Sequence, residues 1–183
     1  MKSINFILII LFLSVLFSCK DKMEEDASVE YQAIDVITGV DFMDANGQPI
    51  GRWGFPNHKK SEDTFIYPIP NNGIFSVSTF NQQTVKRIWL VAADCMRDSV
   101  TIDIPTLSQN LTFTVVELET AQLKDISTPD FMDAIQLDFT DVAAGFYKLF
   151  YQMDSDEIFW YNMYIDPNVT NFPDFDFMDN NCL

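Results

Sequence analysis

Ile74-Phe75-Ser76-Val77-Ser78-Thr79-Phe80 and Val85-Lys86-Arg87-Ile88-Trp89-Leu90-Val91-Ala92 decide the fold of this chain. In the first, Phe75, Val77 and Thr79 share one parity; in the second, Lys86, Ile88 and Leu90 alternate with Arg87, Trp89 and Val91. A period of two puts successive side chains on opposite faces of a strand. Runs rich in β-branched and aromatic residues recur outward in both directions. They fall at residues 31–36, 40–43 and 50–53 before this stretch, and at 100–104, 111–118, 135–139, 146–153 and 158–165 after it. Turn signals separate them, and Asp44-Ala45-Asn46-Gly47 is the clearest, because Asn-Gly suits a hairpin that needs positive φ. Regularly spaced short strands predict a mainly β chain folded as an antiparallel β-sandwich. Residues 117–126 are the exception and read either as a short helix or as further strand. The polar text over residues 54–63 reads as a long loop. No repeat or Pro/Ser-rich linker interrupts the pattern, so residues 30–166 are expected to form one domain. With 17 phenylalanines and 48% hydrophobic residues, that domain has ample material for a core.

The ends of the chain read differently. Lys2 stands before an apolar run over residues 4–17, which breaks at Leu16-Phe17-Ser18-Cys19 and gives way to Lys20-Asp21-Lys22-Met23-Glu24-Glu25-Asp26. A basic start, an apolar stretch and a small residue before the break describe a signal peptide over residues 1–18. The run is too short for a comfortable membrane span. Leu-Phe-Ser-Cys resembles the bacterial lipobox, in which the cysteine becomes the lipidated first residue of the mature protein. The resemblance implies that acyl chains on Cys19 hold the domain at a membrane, each buried methylene contributing about 0.8 kcal/mol. Residues 19–29 would then be a lipidated, disordered acidic tether. Glu24-Glu25-Asp26 resembles the lipoprotein export signals of Bacteroidetes, which implies the outer membrane and display on the cell surface. The competing reading is an ordinary secreted protein whose Cys19 merely lies near a cleavage site.

Export exposes Cys95 and Cys182 to an oxidising compartment, where two remaining thiols usually pair. A Cys95–Cys182 disulfide is expected, with two independent thiols as the alternative. Such a bridge would pin the tail over residues 167–183, whose Phe172, Phe175 and Phe177 alternate with Asp174, Asp176 and Asp179, back onto the sandwich.

Phe65-Ile66-Tyr67-Pro68-Ile69-Pro70-Asn71-Asn72-Gly73-Ile74-Phe75-Ser76-Val77 resembles the opening of the C-terminal sorting domain of Bacteroidetes type IX secretion cargo. That family begins Tyr-Pro-Asn-Pro, then a glycine, then a strand. Ile135-Gln136-Leu137-Asp138-Phe139-Thr140-Asp141-Val142-Ala143-Ala144-Gly145-Phe146-Tyr147-Lys148-Leu149 resembles its second landmark, where Asp-Leu-Ser leads to Ala-Gly-x-Tyr and a strand. Residues 158–165 resemble its closing strand. The resemblance covers residues 65–166 and implies a small Ig-like β-sandwich. Ile69 departs from the motif's Asn, residues 100–122 are inserted, and a lipobox is a different export route. The likeness therefore implies a shared architecture on a lipoprotein, not a working secretion signal.

Chemistry is sparse. The one histidine, His58, sits beside Lys59 and Lys60 in polar text and is expected to be solvated. No nucleophile turn, no His/Cys ligand set and no glycine-rich phosphate loop is present in the sequence, so no cofactor is expected. Asp41, Asp44 and Asn46 before Gly47 faintly resemble a calcium loop, but Phe42 and Trp53 occupy ligand positions and a hairpin explains the residues better. Trp53, Trp89, Trp160 and Tyr161 are candidates for a glycan-stacking platform, with the core as their alternative; such a platform needs two exposed coplanar rings. Trp160 and Tyr161 are adjacent, so one is expected to face outward. Asp98-Ser99-Val100 resembles the O-glycosylation motif of Bacteroidetes, which implies Ser99 as its acceptor. The chain holds 27 acidic and 11 basic residues, and losing Lys2 with the leader takes its formal charge from -16 to -17. A surface so acidic repels phosphate backbones and excludes nucleic acid as a partner. The expected protein is a non-enzymatic, lipid-anchored envelope or cell-surface β-sandwich acting as a binding or accessory subunit. Its partners would be the membrane through Cys19 and an outer-membrane protein or a glycan. The alternatives are a dedicated glycan-binding surface lipoprotein and a small secreted hydrolase.

Overall fold

The alternation around residues 74–92 becomes two strands of two different sheets. In a computed structural model that describes residues 33–81, 83–96, 108–127, 134–168, 178 and 182, the strands are β1 (Val36–Ile37), β2 (Gly39–Met43), β3 (Pro49–Gly54), β4 (Thr64–Tyr67), β5 (Ile74–Thr79) and β6 (Val85–Ala92). They continue as β7 (Asp94–Cys95), β8 (Lys124–Ser127), β9 (Ala134–Asp138), β10 (Gly145–Met153) and β11 (Ile158–Ile165), with a helix α1 (Val115–Ala121) between β7 and β8. A four-stranded sheet runs β11-β10-β6-β8 and a three-stranded sheet runs β4-β5-β9. Every pairing in both is antiparallel. β2 and β3 form a hairpin, and β1 lies parallel to β7. The fold is mainly β, as expected.

Parity explains the core. Ile88, Leu90, Leu149, Tyr151, Tyr161 and Met163 share one face of the four-stranded sheet and join Ile66, Phe75, Val77 and Leu137 of the three-stranded sheet in a single buried cluster. Two sheets closing on one core is the sandwich arrangement. The opposite face of the larger sheet is covered as well. There Trp89, Val91, Phe150 and Trp160 pack with Leu118 of α1, and Phe113 meets Phe150 and Trp160 edge-on at 5.3 and 5.0 Å.

Several expectations need correction. Residues 111–118, expected as strand, enter α1, because Thr114 and Glu117 close a capping box that satisfies the first orphan backbone donors. The strand expected over residues 31–36 is confined to Val36–Ile37 among the described residues. The loop over residues 54–63 is not simply solvated: Asn57 and His58 are buried. Its backbone runs along the edge of β11, where Trp160 N donates to Lys59 O at 2.8 Å. Asn57 fastens it, accepting from Asn162 Nδ2 at 2.8 Å and Thr38 N at 3.2 Å while donating to Val36 O at 2.9 Å. At the base of the β2–β3 hairpin Gly39 faces Gly54, which has φ +65, and a Cβ on Gly54 would stand 2.4 Å from Thr38 O. The expected strand over residues 100–104 lies outside the described residues.

Cys95, at the end of β7, is disulfide-bonded to Cys182, 87 residues further on. Met178 is buried in the main core. Phe172, Phe175 and Phe177 lie outside the described residues.

Candidate functional site

The four aromatics proposed as a stacking platform are core residues. Trp53, Trp89, Trp160 and Tyr161 are all at most 5% exposed. Adjacent Trp160 and Tyr161 do face opposite sides of β11, but both sides are covered, so neither meets solvent. Cys19, Ser99, Asp174, Asp176 and Asp179 lie outside the described residues.

Polar chemistry converges instead on Asp41 of β2. Its buried carboxylate accepts from Arg52 Nε at 2.6 Å and from Lys60 Nζ at 2.9 Å, with His58 Nε2 at 3.4 Å. Burial alone would raise the Asp41 carboxyl, but the Arg52 and Lys60 hydrogen bonds hold it below the usual carboxylate range. His58, far from solvated, stacks on Tyr161 with ring centroids 4.9 Å apart. Burial, reinforced by the Lys60 charge, pushes its imidazole down to about 3 against the pull of Asp41. The ring is therefore neutral at physiological pH, with Nε2 3.4 Å from the carboxylate and Nδ1 lacking a hydrogen-bond partner. So weak a base is poorly matched to proton transfer near neutrality. The cluster ties β2, β3, the 57–60 segment and β11 together. Asp44 is equally committed, its carboxylate accepting from Asn46 N and Gln48 N at 2.8 Å in the hairpin turn. Among the described residues no group of three or more His, Cys, Asp or Glu is arranged to hold a metal ion.

Lys148 is buried as well. It sits mid-sheet between Val91 and Asn162, and its Nζ donates to Ala33 O at 2.9 Å. Burial pushes its ammonium down to about 7 against the opposing charge of Asp35.

Among the described residues, Phe65 of β4 lines two concavities. One, of about 380 Å³, has Lys60, Gln109 and Tyr161 on its walls. The larger, of about 630 Å³, lies between the β2–β3 turn and the outer face of β4 and β5. Phe65 and Phe80 are 40% and 53% exposed there and meet edge-on, with centroids 4.9 Å apart at 84°. Tyr67 completes the aromatic lining, its hydroxyl 3.0 Å from Ser78 Oγ. The turn rests on that ring: Gly47 has φ +75, and a Cβ there would come within 3.1 Å of Tyr67 Cδ1. Parity held the signal for this groove. Thr64 and Ile66 face inward, so Phe65 faces outward; Phe75, Val77 and Thr79 do likewise, which turns Phe80 out.

No family model matches the chain, and neither curated proteins nor solved structures show a detectable likeness to it. Among the described residues no helix is long and apolar enough to cross a membrane.

Proposed function

We propose that this chain is a non-enzymatic, lipid-anchored β-sandwich of a Bacteroidetes outer membrane, Ig-like in architecture, that acts as a binding or accessory subunit through the groove around Phe65 and Phe80. The observation that carries the reading is that exposed aromatic pair. Large apolar side chains held in a concavity rimmed by polar groups mark a binding surface more often than an idle one. The densest polar cluster, around Asp41, is turned inward and saturated by its own cations, which suits a structural role. Anchoring is supported by Leu16-Phe17-Ser18-Cys19 and the charged segment behind it. The Ig-like, sorting-domain-like reading is supported by the resemblance of residues 65–77 and 135–149 to that family's two landmarks.

Fractionation of cells expressing the full chain tests the anchor. The wild-type protein should sediment with membranes, and Cys19→Ala should move to the soluble fraction. Retention of Cys19→Ala in the membrane would overturn the lipid-anchored reading.

A further inference from the structure

The larger groove is uncharged in a chain crowded with charge. None of its nine lining residues carries a charge at neutral pH, although the chain holds 27 acidic and 11 basic residues. Two acids bond to lining residues: Asp44 accepts from Asn46 N at 2.8 Å, and Asp63 accepts from Asn81 Nδ2 at 2.5 Å. An anionic ligand would meet no cation in this lining.

The lining is not simply apolar either. Asn46, Gln48 and Asn81 bring three amides to the rim beside the rings of Phe65, Tyr67 and Phe80. A purely apolar occupant would strip water from those amides without replacing its hydrogen bonds. A polyhydroxylated ring satisfies both surfaces, with C–H faces against the aromatics and hydroxyls against the amides. The angle between the rings adds a shape. At 84° Phe65 and Phe80 form a corner rather than a flat platform. One ring can lie under the face of a sugar while the other meets its edge, whereas a straight chain cannot lie flat on both.

We propose that the groove binds a neutral carbohydrate through a single terminal or branching hexose unit, seated against the corner formed by Phe65 and Phe80 and hydrogen-bonded by Asn46, Gln48 and Asn81. This rests on the reading of the groove as the binding surface.

The test is isothermal titration of the full chain in detergent micelles with methyl glucoside, methyl mannoside and methyl galactoside, followed by an array of branched and linear neutral glycans. Glucuronate and sialyllactose serve as charged controls. Binding of at least one neutral probe is expected at roughly millimolar affinity, since one sugar ring buries little area. Phe65→Ala and Phe80→Ala should each weaken it about tenfold, corresponding to about 1.4 kcal/mol, with the unfolding midpoint retained. Asn46→Ala, which leaves both rings in place, should weaken it as well. Absence of binding to every neutral probe, preference for the charged controls, or binding that survives the Phe65→Ala/Phe80→Ala double variant would overturn the proposal. A photo-crosslinker at position 80 in intact cells separates the two readings. Crosslinks to a partner protein without glycan binding would sink the carbohydrate but keep the groove; neither crosslinks nor binding would sink both.

Discussion

Replacing Lys148 with methionine should remove a pH dependence that the wild-type fold carries. The Lys148 ammonium is held down to about 7 by burial in β10, against 10.5 for a free lysine. The folded protein therefore binds fewer protons than the unfolded chain between these values, and stability rises with pH across that window. Below about pH 7 the full penalty is present. Between pH 7 and 9 its relief amounts to about 2 kcal/mol, at about 1.36 kcal/mol per pH unit once Lys148 has deprotonated. That corresponds to a rise of about 4–8 °C in the unfolding midpoint for a chain of this size. Among the described residues the other shifted groups act outside this window. His58 acts only below its free value of 6.5. Tyr147, Tyr151, Tyr161 and Tyr164, all raised by burial, lower stability only above their free value of 10.0. Lys148→Met should be flat from pH 7 to 9 and more stable than wild type at pH 7 by about 3 kcal/mol, after losing about 1 kcal/mol for the hydrogen bond to Ala33. Urea unfolding followed by the fluorescence of the buried tryptophans measures both. A slope that persists in Lys148→Met, or a variant less stable than wild type at pH 7, would refute the reasoning.

Acid should act through His58. The unfolded histidine takes up a proton below 6.5 that the folded one refuses until about 3, so stability should fall by about 2–3 kcal/mol from pH 6.5 to 4.5. His58→Phe, which can keep the stack on Tyr161, should flatten that fall in the same urea assay. Cys95→Ala opens a loop of 87 residues and should cost about 4 kcal/mol, with reductant lowering the wild-type midpoint and leaving the variant's unchanged. Gly54→Ala drives a Cβ to 2.4 Å from Thr38 O at a positive φ and should destabilise by about 2 kcal/mol or more, read as a loss in the urea midpoint.

The strands were legible where parity was clean. β6 and β11 occupy the residues their alternation marked, and β5 and β10 begin or end within one residue of theirs. Local chemistry overrode the pattern at residues 111–118, where the Thr114–Glu117 capping box favours helix over a β-branched run. Burial was harder to read than secondary structure. Trp160 and Tyr161 alternate as expected, but α1 and Phe113 cover the second face, and that long-range packing has no local signature. His58 sits among polar neighbours that suggest solvent; its burial follows from the edge pairing of Lys59 with Trp160, about a hundred residues away in sequence. The groove could have been found, since Phe65 and Phe80 occupy outward parities. Their corner geometry depends on the register of β4 against β5, which alternation alone does not fix.

The proposed lipid anchor at Cys19 is the first property to measure. Labelled palmitate incorporation, with protease shaving of the same intact cells expressing the full chain, tests it in one sample. A labelled protein is expected, and a protein without label would contradict the proposal of Cys19 as the anchor. Cleavage from outside the cell would assign the labelled protein to the surface, and protection from protease to the inner side of the envelope.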